Sequence, residues 1–135
     1  MIPIKEVDPK YQIHPYKLVR LNGTVEPIDE LIADAVKKLN RLGATTDGSC
    51  QGDQRADDGR KIIGVCIAHI SLERGKKFPV PFVNAVSGYG FNLRKDYISA
   101  HTPGPVSDNH IRANNRKFVR VLASWAKRRA RSVKS

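Results

Sequence analysis

Between Ile62 and Leu72 the chain reads IIGVCIAHISL, an almost unbroken apolar run between a polar stretch and the turn Glu73-Arg-Gly-Lys-Lys77. It is too short to span a bilayer, which takes about 20 apolar residues. A strand apolar at successive positions is covered on both faces, so this segment demands a sheet with layers packed against it. Two amphipathic segments are candidates for those layers. In the first, predicted as a helix over Val25 to Leu42, Ile28, Leu31, Ile32, Ala35, Leu39 and Leu42 recur at helical spacing. Glu26, Pro27, Asp29 and Glu30 suit its first turn, Lys37, Lys38 and Arg41 its last, and Gly43 its left-handed cap. The second runs from Asn109 toward the C-terminus. Tyr16 to Leu21 alternates as a short strand, and Asn22-Gly23 is a turn signal. Ala44 to Lys61 reads as a long polar loop, Pro79 to Val86 as a short helix or link, and Tyr89 to Phe91 and Tyr97 to Ala100 as short strands. The order predicts an α/β or α+β fold: a small sheet with a central buried strand, packed by two helices. A length of 135 residues fits one domain.

The second helix carries most of the charge. From Asn109 to Ser135 there are nine Lys or Arg residues and no acid, while the whole chain has a net charge of +11. At about 100° per residue, Ile111, Phe118, Leu122, Trp125, Ala126 and Val133 fall on one side. Arg112, Arg116, Arg120, Lys127 and Arg131 fall on the other, with Lys117 and Arg128 beside them. Ser107, Asp108 and Asn109 are each suited to cap its start. A cationic face can be simply solvated, but ordinary solvated faces mix both signs. An anionic membrane would prefer a cleaner apolar side than one interrupted by Arg129. Nucleic acid fits best, because the guanidinium fork matches phosphate and its weaker hydration lowers the cost of contact. No zinc-finger spacing, no RNA-recognition aromatic motif and no short helix–Gly turn–helix pattern accompanies the segment.

Candidate chemistry centres on the stretch Gly43 to Asp53, GATTDGSCQGD. Thr45, Thr46 and Ser49 offer hydroxyls, Cys50 a thiol, and Gly48 and Gly52 permit close approach of a ligand. It is not a phosphate-binding loop of the Walker type, since no Lys-Ser/Thr pair follows the glycines. Cys50 could act as a nucleophile with His69 or His101 as base. His69-Ile-Ser71 matches half of a paired His-x-Ser/Thr phosphodiesterase pattern, but His101-Thr102-Pro103 lacks the second half. Cys50, Cys66, His69, His101 and His110 match no structural zinc spacing. Asp47, Asp53, Asp57 and Asp58 could hold Mg²⁺ but read more simply as a solvated acidic loop. Neither a metal site nor a cofactor is expected.

Leu39, Asn40, Leu42 and Gly43, then Thr46, Ser49, Cys50 and Gly52, then the Ile62 to Leu72 strand, form a pattern that resembles small proteins of phages and other mobile elements. Asn115-Arg-Lys-Phe-Val and Leu122-Ala-Ser-Trp-Ala126 resemble the ends of such proteins. That group implies a context and no settled activity. Gly-Ser-Cys-Gln-Gly-Asp is also similar, over about ten residues, to the Ser-x-Cys-x-Gly loop of the wybutosine-synthesis tRNA methyltransferase family, which carries Ser-Ser-Cys-Ser-Gly there. The later motifs of that family do not line up, so methyl transfer is not carried over.

The expectation is a nucleic-acid-binding accessory protein of a phage or mobile element. Its contacts would be Arg112, Arg116, Lys117, Arg120, Lys127, Arg128 and Arg131, with Lys37, Lys38, Arg41, Arg74, Lys76 and Lys77 extending the surface. Two alternatives stand beside it. One is a small enzyme or phosphate-ligand-binding protein centred on Thr45 to Asp53. The other is an inhibitor or scaffold that binds an acidic host-protein surface. No membrane partner is expected. The N-terminus MIPIKEVDPK lacks an apolar signal core, and the two cysteines read as free thiols, which points to the cytoplasm of a bacterium or host cell.

Overall fold

The computed structural model describes residues 16–21, 23–56, 62–100 and 107–128, with side chains described outside 53–56 and 62–66. The fold is α+β. Strand β1 (Tyr16–Leu21) turns at Gly23, whose φ of +88° favours glycine, into β2 (Thr24–Asp29), and the two pair antiparallel from Leu21↔Thr24 to Tyr16↔Asp29. The helix predicted over Val25 to Leu42 is therefore strand at its start, through Asp29. Only a 3-10 turn at Glu30–Ile32 and α1 (Ala33–Arg41) are helical. The spacing of Ile28 and Ile32 fits either period, and pairing with β1 decides it, with Val19, Leu21 and Ile28 all buried. At the other end of α1 the cap is as expected. The Gly43 N–H donates to the Asn40 carbonyl at 3.1 Å and the Ala44 N–H to the Leu39 carbonyl at 2.9 Å, with Gly43 at φ +88°.

The predicted loop from Ala44 is strand from Thr46. Strands β3 (Thr46–Cys50) and β4 (Asp53–Ala56) run out, and β5 (Ile62–Cys66) and β6 (His69–Leu72) run back. β3 pairs with β6 and β4 with β5, both antiparallel, so the four pieces make one long hairpin broken between Cys50↔His69 and Asp53↔Cys66. The predicted continuous Ile62–Leu72 strand is thus two strands in two ladders, interrupted at Ile67 and Ala68.

Helix α2 (Val80–Val86), strands β7 (Asn92–Leu93) and β8 (Tyr97–Ser99), and helix α3 (Asp108–Lys127) complete the order. The larger sheet runs β3-β6-β8-β7, so β6 is an interior strand. Ile70, Leu72 and Ile98 turn into the core with Ile32, Val36, Leu39, Phe82 and Val86. Phe82 stacks on Phe78 at 4.7 Å and meets the Trp125 ring edge-on at 4.9 Å, joining α2 to α3. No helix among the described residues is long and apolar enough to cross a membrane.

Candidate functional site

Helix α3 has two unlike sides. Phe118, Val121, Leu122 and Trp125 are buried against α1 and α2, with Ile111 and Ala126 half-buried at the margins. Val121 belongs to this side although the sequence reading omitted it. Ser107 caps the helix, its Oγ accepting from the His110 N–H at 3.1 Å. On the opposite side Arg112, Arg116, Arg120 and Lys127 are all exposed. They occupy an arc of roughly 80° and extend about 22 Å along the axis, at 100° and 1.5 Å per residue. Asn109, Ala113 and Ser124 share that side, and no acid follows Asp108 on the helix. Lys117 sits on the flank, half-buried, its ammonium 5.9 Å from the Phe91 ring centroid. Arg128 ends the helix and is exposed; Arg131, Arg129 and Val133 lie outside the described residues.

Lys38 is not part of an open cationic surface. Its ammonium donates to the carbonyls of Trp125 and Arg128, each at 2.8 Å, and lies 4.5 Å from the Trp125 ring centroid. It thereby satisfies carbonyls at the C-terminal end of α3 and ties α1 to it. Burial, and then the neighbouring charges of Arg128 and Arg41, hold the Lys38 ammonium below the usual lysine value. Lys37, Arg41, Arg74, Lys76 and Lys77 are exposed.

The residues of the two quoted motifs meet in space, and their work is structural. Asn40 Nδ2 donates to the Val36 carbonyl and to Thr46 Oγ1, while Asn40 Oδ1 accepts from the Thr46 N–H at 3.2 Å. Together with Gly43 this closes the corner from α1 into β3. Gln51 and Gly52 occupy the break in the hairpin. The Gln51 N–H donates to Asp29 Oδ2 at 2.9 Å, and Gln51 Oε1 accepts from the Leu31 N–H at 3.0 Å. The side chain of Asn115 on α3 enters the same break, and its Oδ1 accepts from the buried Ala68 N–H at 2.9 Å. Gly52, at φ +87°, is what admits it: a Cβ there would lie 2.5 Å from Asn115 Nδ2 and 2.9 Å from the Ala68 nitrogen. Neither Gln51 nor Asn115 was singled out from the sequence as a partner in this joint. A polar residue amid the apolar positions of a helix was the available signal for Asn115.

Cys50 and His69 are cross-strand partners in β3 and β6, and His69 in turn pairs with Ser99 of β8. Directly opposed residues point to the same face with Cβ atoms about 4.5–5.5 Å apart. Both are half-buried. Cys50 Sγ accepts from the Gly52 N–H at 3.3 Å. His69 Nδ1 lies 3.2 Å from the Ile67 carbonyl, which accepts a hydrogen bond when Nδ1 carries a proton. The ring stacks near Tyr97 at 6.1 Å. On the same ladder Ser71 Oγ donates to the Asp47 carboxylate and stands across from Gly48. Ser49 pairs with Ile70, and Thr46 is held by Asn40. The structure therefore joins Cys50 to His69 at strand ends that border the hairpin break. The second proposed base, His101, lies outside the described residues, as do Asp57 and Asp58 and the side chains of Asp53 and Cys66. Among the described residues no three of His, Cys, Asp and Glu come together to hold a metal.

No protein-family model matches the chain, and no curated protein or solved structure matches it.

Proposed function

We propose that the protein binds nucleic acid through the outer side of α3, as an accessory protein of a phage or mobile element acting in the cytoplasm. One observation carries this reading: Arg112, Arg116, Arg120 and Lys127 are exposed together on one side of a helix whose other side is fixed in the core. A rigid, acid-free cationic strip of about 22 Å can face several phosphates at once. Arginine predominates in it, which favours bidentate phosphate contacts. Arg128 extends the strip at the helix end; Lys117 borders it.

The test is a salt-titrated binding assay on the full-length protein with single- and double-stranded DNA and RNA. Tight binding that weakens steeply with salt is expected. No binding at low salt would remove the proposal. A pull-down partner that survives nuclease digestion would instead favour an acidic host-protein surface on the same strip.

A second reading, a small enzyme or phosphate-ligand-binding protein, rests on the Cys50–His69 pairing across β3 and β6. If His69 activates the thiol, Cys50 should alkylate faster in the wild type than in His69→Gln. Equal rates would leave this pairing a structural one.

A further inference from the structure

An exposed aromatic is linked to α3 through a second ring. Tyr89 is 43% exposed at the tip of a Gly88-Tyr-Gly90 turn, in which both glycines have φ above +80°. Its ring stacks on Phe91, with centroids 5.8 Å apart and planes 20° from parallel. Phe91 meets the buried Phe118 ring of α3 edge-on at 5.2 Å. The Lys117 ammonium stands 5.9 Å from the Phe91 centroid. An exposed ring is thus braced through a second ring to the core face of α3, next to a lysine one turn from Arg120 on the same helix.

An exposed tyrosine in a turn costs hydrophobic burial, and a tight glycine-flanked turn presents it outward rather than folding it in. Its ring rests on Phe91, which in turn meets the buried Phe118. Flat aromatic faces beside backbone-tracking cations are the components with which proteins hold unpaired bases: the rings stack on bases while the cations meet the phosphates. A duplex keeps its bases stacked on one another and offers no free face to such a ring.

We infer that Tyr89, stacked on Phe91 over which the Lys117 ammonium stands, is a stacking site for an unpaired base, so that the nucleic acid held along α3 is single-stranded. This inference rests on the proposed nucleic-acid reading of α3. Arg116 and Arg120 would hold phosphates next to the stacked base. Stacking is tolerant of base identity, so little sequence preference follows from this site alone. Ribose and deoxyribose strands share the chemistry, and only the probes distinguish them.

The experiment measures binding of oligothymidylate, oligouridylate, an abasic deoxyribose-phosphate strand of equal length, and a duplex of the same length. Wild type, Tyr89→Phe and Tyr89→Ala are compared. The inference expects oligothymidylate to bind more tightly than the abasic strand, which carries the same charge. Tyr89→Ala should weaken single-strand binding roughly tenfold, the loss typical when a base-stacking ring is truncated, and leave duplex binding and the salt slope alone. Tyr89→Phe should retain single-strand binding. An added oligodeoxyuridylate differs from oligouridylate in the sugar alone, and the tighter binder of that pair identifies the sugar. Two results overturn the inference while the α3 reading stands: an abasic strand that binds as well as oligothymidylate, or an equal loss for single strand and duplex in Tyr89→Ala. The abasic comparison uses wild-type protein and does not depend on the variant folding. Absence of binding to every probe at low salt overturns the α3 reading and this inference together.

Discussion

The two sides of α3 use the same helix for opposite ends. On the inner side Asn115 bonds the Ala68 N–H, and from α1 Lys38 bonds the last carbonyls of the helix. On the outer side Arg112, Arg116, Arg120 and Lys127 project into solvent from a helix with no acid after Asp108. A positive charge is therefore informative about partners only after its structural employment is known. Lys38 and Arg116 look alike in sequence, yet one bonds backbone carbonyls and the other is exposed.

That contrast can be broken most severely on the inner side of α3. Trp125→Ala removes a side chain 2% exposed and should cost about 3–5 kcal/mol in denaturant unfolding. Gly52→Ala forces a Cβ against Asn115 and the Ala68 nitrogen and strains a positive φ, and an effect of about 2–4 kcal/mol is expected on the same measurement. An effect under about 0.5 kcal/mol would show that the hairpin break does not depend on the Asn115 insertion. Asn115→Ala leaves the buried Ala68 N–H without this acceptor, so a loss of about 1–3 kcal/mol should appear as a lower denaturant midpoint.

The chain discloses its long-period features and hides those that depend on pairing. α3 was legible because its apolar positions repeat over five turns and its acids are missing. The YKLVRL strand and the Gly43 cap were legible because alternation and a left-handed glycine are local signals. β2 was not, since Ile28 and Ile32 satisfy helix and strand alike and only the ladder with β1 decides. TDGSC of β3 has no strand composition; its extended backbone is imposed by β6 across the sheet. The interruption at Ile67 and Ala68 is set by a side chain from α3, 47 positions away from Ala68, which no local pattern could reveal. The candidate site divides in the same way. The outward arginines followed from periodicity, whereas the Cys50–His69 pairing and the Tyr89–Phe91–Lys117 cluster required the fold.

Smaller effects sharpen the comparison. Lys38→Met should lower stability by about 1 kcal/mol, since it removes two bonds to carbonyls at a half-exposed helix end. Its pH dependence has a definite sign. The folded-state pKa of Lys38 is lowered, so between that value and 10.5 the unfolded chain binds more protons. The contribution of this group to stability therefore rises with pH through that alkaline window. Lys38→Met should lose the rise, as compared by unfolding at neutral pH and in the alkaline window. The smallest stability effect belongs to the outer side: each of Arg112→Ala, Arg116→Ala and Arg120→Ala should change unfolding by no more than about 0.5 kcal/mol.

The most direct test pairs that near-silence with binding. The Arg112→Ala/Arg116→Ala/Arg120→Ala variant and the wild type are titrated with a nucleic acid across a series of salt concentrations. Neutralisation of three phosphates fewer should weaken binding at low salt and flatten the slope of log affinity against log salt by roughly 2–3. A folded variant with unchanged affinity and unchanged slope would contradict the assignment of α3 as the contact surface.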